Sequence, residues 1–264
     1  MARTRSVWHG KLTLAAVGLC AAVLALTGYA MFTGDDEGEA PAAGKGGPKA
    51  SASASASPSY SVPDNWTEPA LWAALPRGQR TDDRGSQVGF PHTPEGAVAM
   101  LMAATASSVE GDQSSVDQQL RSYYSYLVKA EQTGSTERNI KQNGQNIDKE
   151  VASGAGAAPG QPLPSGVYMR SHVVGFKIIK ESPDEVNVWL LARAVHKYGE
   201  TAKESGSYTR AVAGAVWQDG DWKLSGKATD RAAREARSQP KPEMVAPGDA
   251  AFNTSGWTAI REAS

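Results

Sequence analysis

The stretch AVAGAVWQDGDWKL, residues 211–224, contains the signal that decides the fold of this chain. Asp219 and Gly220 favour a two-residue hairpin turn, because a type I′ turn needs positive φ at both central positions. Apolar residues, with Val and Trp closest to the turn, flank the pair as they do in strands. The stretch therefore predicts two antiparallel strands, residues 207–218 and 221–228, joined by a tight turn.

Two further long strands are predicted before this hairpin. Residues 167–181 and 186–198 are rich in Val, Ile, Leu and aromatic residues, and the polar turn SPDE lies between them. In the second strand one alternating set of side chains begins with Val186 and the other with Asn187. We expect the Val186 set to face helices and the Asn187 set to be partly wet, as in many antiparallel sheets.

The sheet is preceded by a helix start in GFPHTPEGAVAMLMAATA, residues 89–106. Thr93, Pro94 and Glu95 suit the N-cap, the first helical position and the positive end of the helix dipole. The alternative is that His92 and Glu95 form an acid–base pair. Helix initiation explains every feature of the stretch, so we prefer it.

Residues 111–133 and 139–153 predict two more helices, because their apolar residues recur at helical spacing. Helices followed by a meander of four antiparallel strands define an α+β domain.

The amino-terminal region predicts a membrane anchor. Residues 12–34 carry no charge, and at ~1.5 Å per residue they span a ~30 Å hydrocarbon core. Basic residues from Arg3 to Lys11 precede this run and an acidic cluster follows it, which places residues 1–11 in the cytoplasm and the rest outside the cell. Cleavage as a signal peptide before Met31 is the alternative, but secretory apolar regions are usually shorter.

The remaining chain divides by composition. Residues 35–63 are low-complexity Ala, Ser, Gly and Pro, which predicts a disordered tether. Residues 64–88 form an extended segment with tryptophans, residues 89–228 the folded domain outside the membrane, and residues 229–264 a C-terminal helix and tail.

Charge and cysteine content exclude several function classes. The formal net charge is -1 and the Lys and Arg residues are scattered, so we expect no direct nucleic-acid binding. Cys20 is the only cysteine, which excludes an intrachain disulfide and a cysteine-based zinc site. We find no metal-ligand spacing and no phosphate-binding glycine loop, so we expect no metal and no cofactor.

Five side chains are candidates for chemistry in a cavity: Tyr124, Tyr168, His172, Asp184 and His196. No Ser, His and acid triad is evident among them. Asp184 lies in a predicted turn and His196 near a strand end, where both types are common. We retain Tyr124 and His172 as cavity candidates and expect no catalytic residues.

The order of elements resembles the nuclear-transport-factor-2-like (cystatin-like cone) fold, in which helices pack in the concavity of a curved four-stranded antiparallel sheet. The resemblance rests on the helix start at residues 89–106, the strands VVGFKII and VNVWLLA, and the hairpin VWQDGDWKL. It covers residues 89–228. Enzymes of this fold resemble one another in placing Asp, His or Tyr inside the cone.

The whole plan, from basic end through single span and tether to this domain, is similar to two sets of membrane proteins. One set is the bitopic scaffold subunits of conjugation and type IV secretion channels, including those of actinobacterial integrative elements, which the motif GFPHTPEGA also resembles. The other set is associated with actinobacterial lipid-importer operons.

The first resemblance implies a non-enzymatic assembly subunit at the cell membrane. Its partners would be other membrane-bound channel subunits, and self-association would fit a channel. Trp66, Trp72 and Trp257 are the candidate partner contacts, although each could instead fold back onto the domain. The alternative function is a cavity of the same fold that binds a small ligand or catalyses a reaction, or an accessory role in lipid import.

Overall fold

The computed structural model describes residues 65–158 and 160–261. The predicted cytoplasmic end, membrane span and tether lie outside these residues. Within the described ranges, no helix is both long enough and apolar enough to cross a bilayer.

Helices lie before and after the meander of antiparallel strands in the chain. They are α1 (Pro94–Thr105), α2 (Ser115–Tyr126), α3 (Gly134–Gly154), α4 (Gly226–Ala236) and α5 (Ala250–Thr254), with a 3₁₀ turn at Lys129–Glu131. Thr93 is the N-cap of α1, as the sequence predicted, and its Oγ1 accepts a hydrogen bond from the Gly96 N–H at 3.1 Å.

The strands vary widely in length. They are β1 (Trp72–Ala74), β2 (Arg80–Thr81), β3 (Gln87–Val88), β4 (Ser107–Glu110), β5 (Val167–Ser182), β6 (Glu185–Tyr198), β7 (Ser205–Gln218), β8 (Asp221–Leu224) and β9 (Thr258–Arg261). Strands β2 and β3 form a small antiparallel pair of their own.

The main sheet has seven strands, so the predicted four-stranded sheet is wrong, and so is the cone fold that it implied. Strands β5 to β8 form the antiparallel meander, but β4 and β9 also pair with β5, and β1 pairs with β9 in parallel. The added strands have 3 or 4 residues each. Such short strands show no alternation pattern, and only long-range pairing creates them.

The middle of this sheet is covered on both faces, although one face was expected to be partly wet, and that face is exposed toward the far end of β5, at Arg170 and His172. Residues 186–191 of β6 are buried at every position. Val188 packs in a core with α1, whereas Leu191 packs on the other face with Phe252 and Trp257 from the tail. The domain is therefore layered as helices, sheet and helices.

Helix α4 lies directly on β7 because Gly214 has no side chain. A Cβ at Gly214 would lie 2.4 Å from the backbone carbonyl carbon of Ala228. The Gly214 N–H donates to Thr229 Oγ1 at 3.0 Å, and its carbonyl accepts from the Ser225 N–H at 3.0 Å. Close backbone contact between β7 and the start of α4 thus builds the second layer.

Candidate functional site

The motif GFPHTPEG serves as a structural lock between α1 and the β7–β8 hairpin. The Phe90 N–H donates to the buried Asp221 carboxylate at 3.0 Å, and Trp222 Nε1 donates to the Pro91 carbonyl at 2.8 Å. His92 stacks on Trp217 with ring centroids 4.0 Å apart. The helix-start motif of residues 89–106 and the hairpin motif of residues 211–224 thus pack against each other.

The contacts of His92 explain this residue without catalysis. Its Nε2 lies 2.7 Å from the Pro183 carbonyl and 3.0 Å from Asp184 Oδ1, so this nitrogen carries the hydrogen. Asp184 lies in the β5–β6 turn, as the sequence predicted. Glu95 is exposed in the first turn of α1.

Tyr168 and His172 lie on β5 at the end of the sheet away from α4. Tyr168 donates a hydrogen bond to Glu204, which raises the pKa of the phenol, and Arg170 lies over its ring at 4.4 Å. His172 is exposed and is paired in register with Arg193. These side chains belong to a surface network of charged and aromatic groups.

His196 faces a different environment on the neighbouring strand β6. It is half-buried, its ring lies 5.3 Å from that of Tyr198, and burial lowers the pKa of its imidazole.

Of the three tryptophans predicted to contact a partner, Trp257 is interior. It is 1% exposed, and its Nε1 donates to the Glu243 carbonyl at 2.8 Å. Together with Phe252 it fills the core under the tail. Its role in this structure is to hold the tail against the sheet.

Trp66 and Trp72 instead share one acceptor at the surface. Trp66 Nε1 donates to Glu68 Oε2 at 3.1 Å, and Trp72 Nε1 donates to Glu68 Oε1 at 3.0 Å. The guanidinium of Arg261 lies 4.6 Å from the centre of the Trp72 ring. One carboxylate therefore orients both indoles, in an arrangement that we call the tryptophan clamp (Trp66, Glu68 and Trp72).

The leading segment, residues 66–71, is attached to the domain through its backbone. The Thr67 N–H donates to the Gly248 carbonyl at 2.8 Å, and the Leu71 carbonyl accepts from the Ala259 N–H at 2.9 Å. The side chain of Asn253 bonds the segment twice, at the Ala70 N–H (2.8 Å) and at the Glu68 carbonyl (3.0 Å).

This attachment leaves apolar side chains in solvent. Trp66 is 57% exposed and Leu71 is 55% exposed. Trp66 also lies on Gly248, where a Cβ would come within 2.3 Å of the indole ring. The backbone of the leading segment is therefore held in place while its apolar side chains are exposed. Exposed apolar groups of this kind are typical of protein-binding surfaces.

Tyr124, the other cavity candidate, lines a polar cleft of about 320 Å³ beside the C-terminal end of α2. His172 is not among the residues that line this cleft, so the structure does not bring the two candidates together.

Sequence reasoning missed Glu68 and Asn253, which organise the leading segment. The signal for Glu68 was its position between two tryptophans, two residues after Trp66 and four before Trp72. Asn253 carried no such signal, because the backbone groups that it bonds, at Ala70 and Glu68, lie at the other end of the described chain.

The described residues define an α+β domain of helix, sheet and helix layers that carries a fixed aromatic segment on its surface. The chain belongs to the family described as a domain of unknown function, DUF8175, which matches residues 35–242. Comparisons with curated proteins and with solved structures each found no match.

Proposed function

We propose that this chain is a non-catalytic, membrane-anchored assembly subunit of a conjugative DNA-transfer channel similar to type IV secretion systems. Its domain outside the membrane binds another membrane-bound subunit through the leading segment. The observation that carries this proposal is the exposure of Trp66 and Leu71, at 57% and 55%, on a backbone that the domain holds in place.

Fixed apolar groups favour association. Binding normally loses free energy when loops and side chains become ordered, and here the clamp and the backbone hydrogen bonds have already ordered them. Leu71 is 55% exposed, so burying the rest of it in a partner would contribute about half of the ~1.5–3 kcal/mol that full burial of a leucine contributes. Tryptophan is among the residues most often found to dominate binding energy at interfaces.

The clamp also indicates what the partner surface is like. The Glu68 carboxylate accepts from both indoles and lies between two aromatic groups. A partner that covers them brings its own groups close to this negative charge. We therefore expect an apolar pocket flanked by a Lys or Arg side chain.

The predicted anchor supports a partner that is itself in the membrane. The tether predicted for residues 35–63 would have a root-mean-square span of roughly 30 Å, which would keep the leading segment close to the bilayer. The family match begins at residue 35, directly after the predicted span. The organisation of the whole chain resembles that of scaffold subunits. This resemblance indicates the class of partner, which is a polytopic or motor subunit of a transfer channel.

The test is photo-crosslinking in living cells with a photoreactive amino acid at position 71, followed by purification of the tagged full chain from membranes. We expect crosslinks to the motor ATPase or to polytopic subunits of a transfer apparatus. The control places the same amino acid at Gln145, which is exposed on α3. Recovery of lipid-importer subunits would replace the channel with the import system. If the photoreactive amino acid at position 71 forms no crosslink to another protein, the scaffold proposal is refuted.

A further inference from the structure

The polar cleft at the end of α2 has the size of a small-molecule site. It is a solvent-open cleft of about 320 Å³ between the loop that joins β2 to β3, the 3₁₀ turn and the β7–β8 hairpin. Pockets that bind small molecules usually measure about 300–1,000 Å³.

Cations predominate in this cleft. Arg84, Lys129 and Lys223 line it, and the only acidic residue among the lining residues is Asp219 in the hairpin turn. Within residues 65–158 and 160–261, Arg84 and Lys129 have no ion-pair partner. The Arg84 guanidinium lies 5.0 Å from the centre of the Tyr124 ring.

The two carboxylates behind the cleft are already engaged by donors of the domain. Asp221 accepts from the Phe90 and Trp222 N–H groups through Oδ1 and from Lys223 through Oδ2. Asp82 accepts from the side chain of Ser125 and from nearby backbone N–H groups. The charge of Asp82 still attracts Arg84, but from beyond ion-pair distance, so in the described residues Arg84 and Lys129 face the cleft without a carboxylate bound to them.

The end of α2 does not account for these two cations either. Its last carbonyls would attract positive charge, but Gln132 donates to the carbonyls of Tyr123 and Leu127 at 3.3 and 2.9 Å. Lys223 Nζ donates to the Ser125 carbonyl at 3.0 Å. The helix end is therefore satisfied without Arg84 or Lys129.

The geometry points to an anion-binding site in this cleft, which takes a small compound with phosphate or carboxylate groups. The Arg84 guanidinium, oriented by Tyr124, is suited to bind two anion oxygens in parallel. Lys129 approaches from the 3₁₀ turn and supplies a second, compact charge. Lys223 lies at the inner wall of the cleft.

The test is isothermal titration calorimetry of the full chain in detergent at low ionic strength, with pyrophosphate and with citrate as probes. We expect saturable binding of at least one probe. Arg84→Gln and Lys129→Gln should each weaken it about tenfold, the effect of losing one charge-assisted contact. Lys149→Gln is the matched control, because it removes an exposed positive charge from α3, outside the cleft.

The identity of the probe that binds distinguishes the two chemical sources. Pyrophosphate alone would assign the cleft to phosphate groups, and citrate alone to carboxylates. Absence of saturable binding for both probes would overturn the inference. So would an equal loss of affinity in Lys149→Gln, because binding would then follow overall charge. Circular dichroism of each variant checks that the fold is retained.

Discussion

Gly214→Ala should separate α4 from the sheet, and we expect it to lower the free energy of unfolding by about 2–4 kcal/mol. The new Cβ would lie 2.4 Å from the Ala228 carbonyl carbon and 2.6 Å from both the Ala228 Cβ and the Thr229 nitrogen. Ordinary contact begins at 3.4 Å, so α4 would have to retreat by about 1 Å.

The magnitude combines two losses. Overpacking of a filled interior costs about 1–3 kcal/mol. The retreat also stretches the hydrogen bonds that join Gly214 to Thr229 and Ser225, both 3.0 Å long, and losing one of them costs about 1 kcal/mol.

The assay is urea unfolding of a chain that begins at residue 35, followed by tryptophan fluorescence and circular dichroism. Gly134→Ala is the control, because its Cβ would meet only Arg138, at 3.6 Å, and it should leave the stability unchanged or raise it by up to about 1 kcal/mol. If Gly214→Ala unfolds within about 0.5 kcal/mol of the parent chain, α4 does not rest on β7 as described.

Three further perturbations test the clamp, the lock and the second layer. Glu68→Ala should release both indoles, seen as faster quenching of tryptophan fluorescence by acrylamide, and unchanged quenching would contradict the clamp. Asp221→Ala should cost about 1–3 kcal/mol in urea unfolding, because it leaves the buried Phe90 N–H without its acceptor and leaves Lys223 only the Ser125 carbonyl, and a cost below about 0.5 kcal/mol would contradict the lock. The hydrogen bond from Arg231 holds the pKa of Glu185 below its usual 4.5 despite partial burial. That contribution to stability is present above pH 4.5 and lost as the pH falls below it, so Glu185→Gln should flatten the acid limb of a stability–pH profile.

The hairpin was readable from sequence because its determinants are local. Asp219 and Gly220 take φ values of 54° and 77°, as the turn requires, and the flanking strands pair with their nearest neighbours. The start of α1 was equally local, since Thr93 caps the helix by accepting a hydrogen bond from the Gly96 N–H, three residues further on. The pairing of successive antiparallel strands and the capping of a helix depend on residues close in sequence. Both can therefore be predicted without the rest of the chain.

The sequence already contained a signal that a second layer of structure would cover the other face of the sheet. Trp189 and Leu191 belong to the alternating set that was expected to be partly wet, and both are buried. Two large apolar residues on that face indicated that another layer would cover it. The sequence predicted a C-terminal helix and tail at residues 229–264 but not that they form this layer, because α4 contacts the sheet through small residues such as Ala228 and Ala232.

For the candidate sites, too, the sequence predicted some features and the tertiary structure decided others. The sequence singled out the tryptophans, but it could not tell that Trp257 is buried while Trp66 is exposed. That difference depends on which segment lies against the sheet. Tyr124 was a cavity candidate from the sequence and it lines the cleft, but its neighbours there, such as Arg84, could not be predicted, because a loop, a helix end and a hairpin far apart in the chain form the cleft.

The sequence alone determined the α+β composition of the described domain, the long β5–β8 meander, the hairpin and the start of α1, because each depends on contacts between near neighbours. Only the tertiary structure decided the seven-stranded sheet, the second layer on it, the attachment of the leading segment and the cleft. Strands as short as β1 and β9 are stable only when paired, and the side chain of Asn253, which bonds the backbone at Glu68 and Ala70, reaches that segment only because the chain has folded.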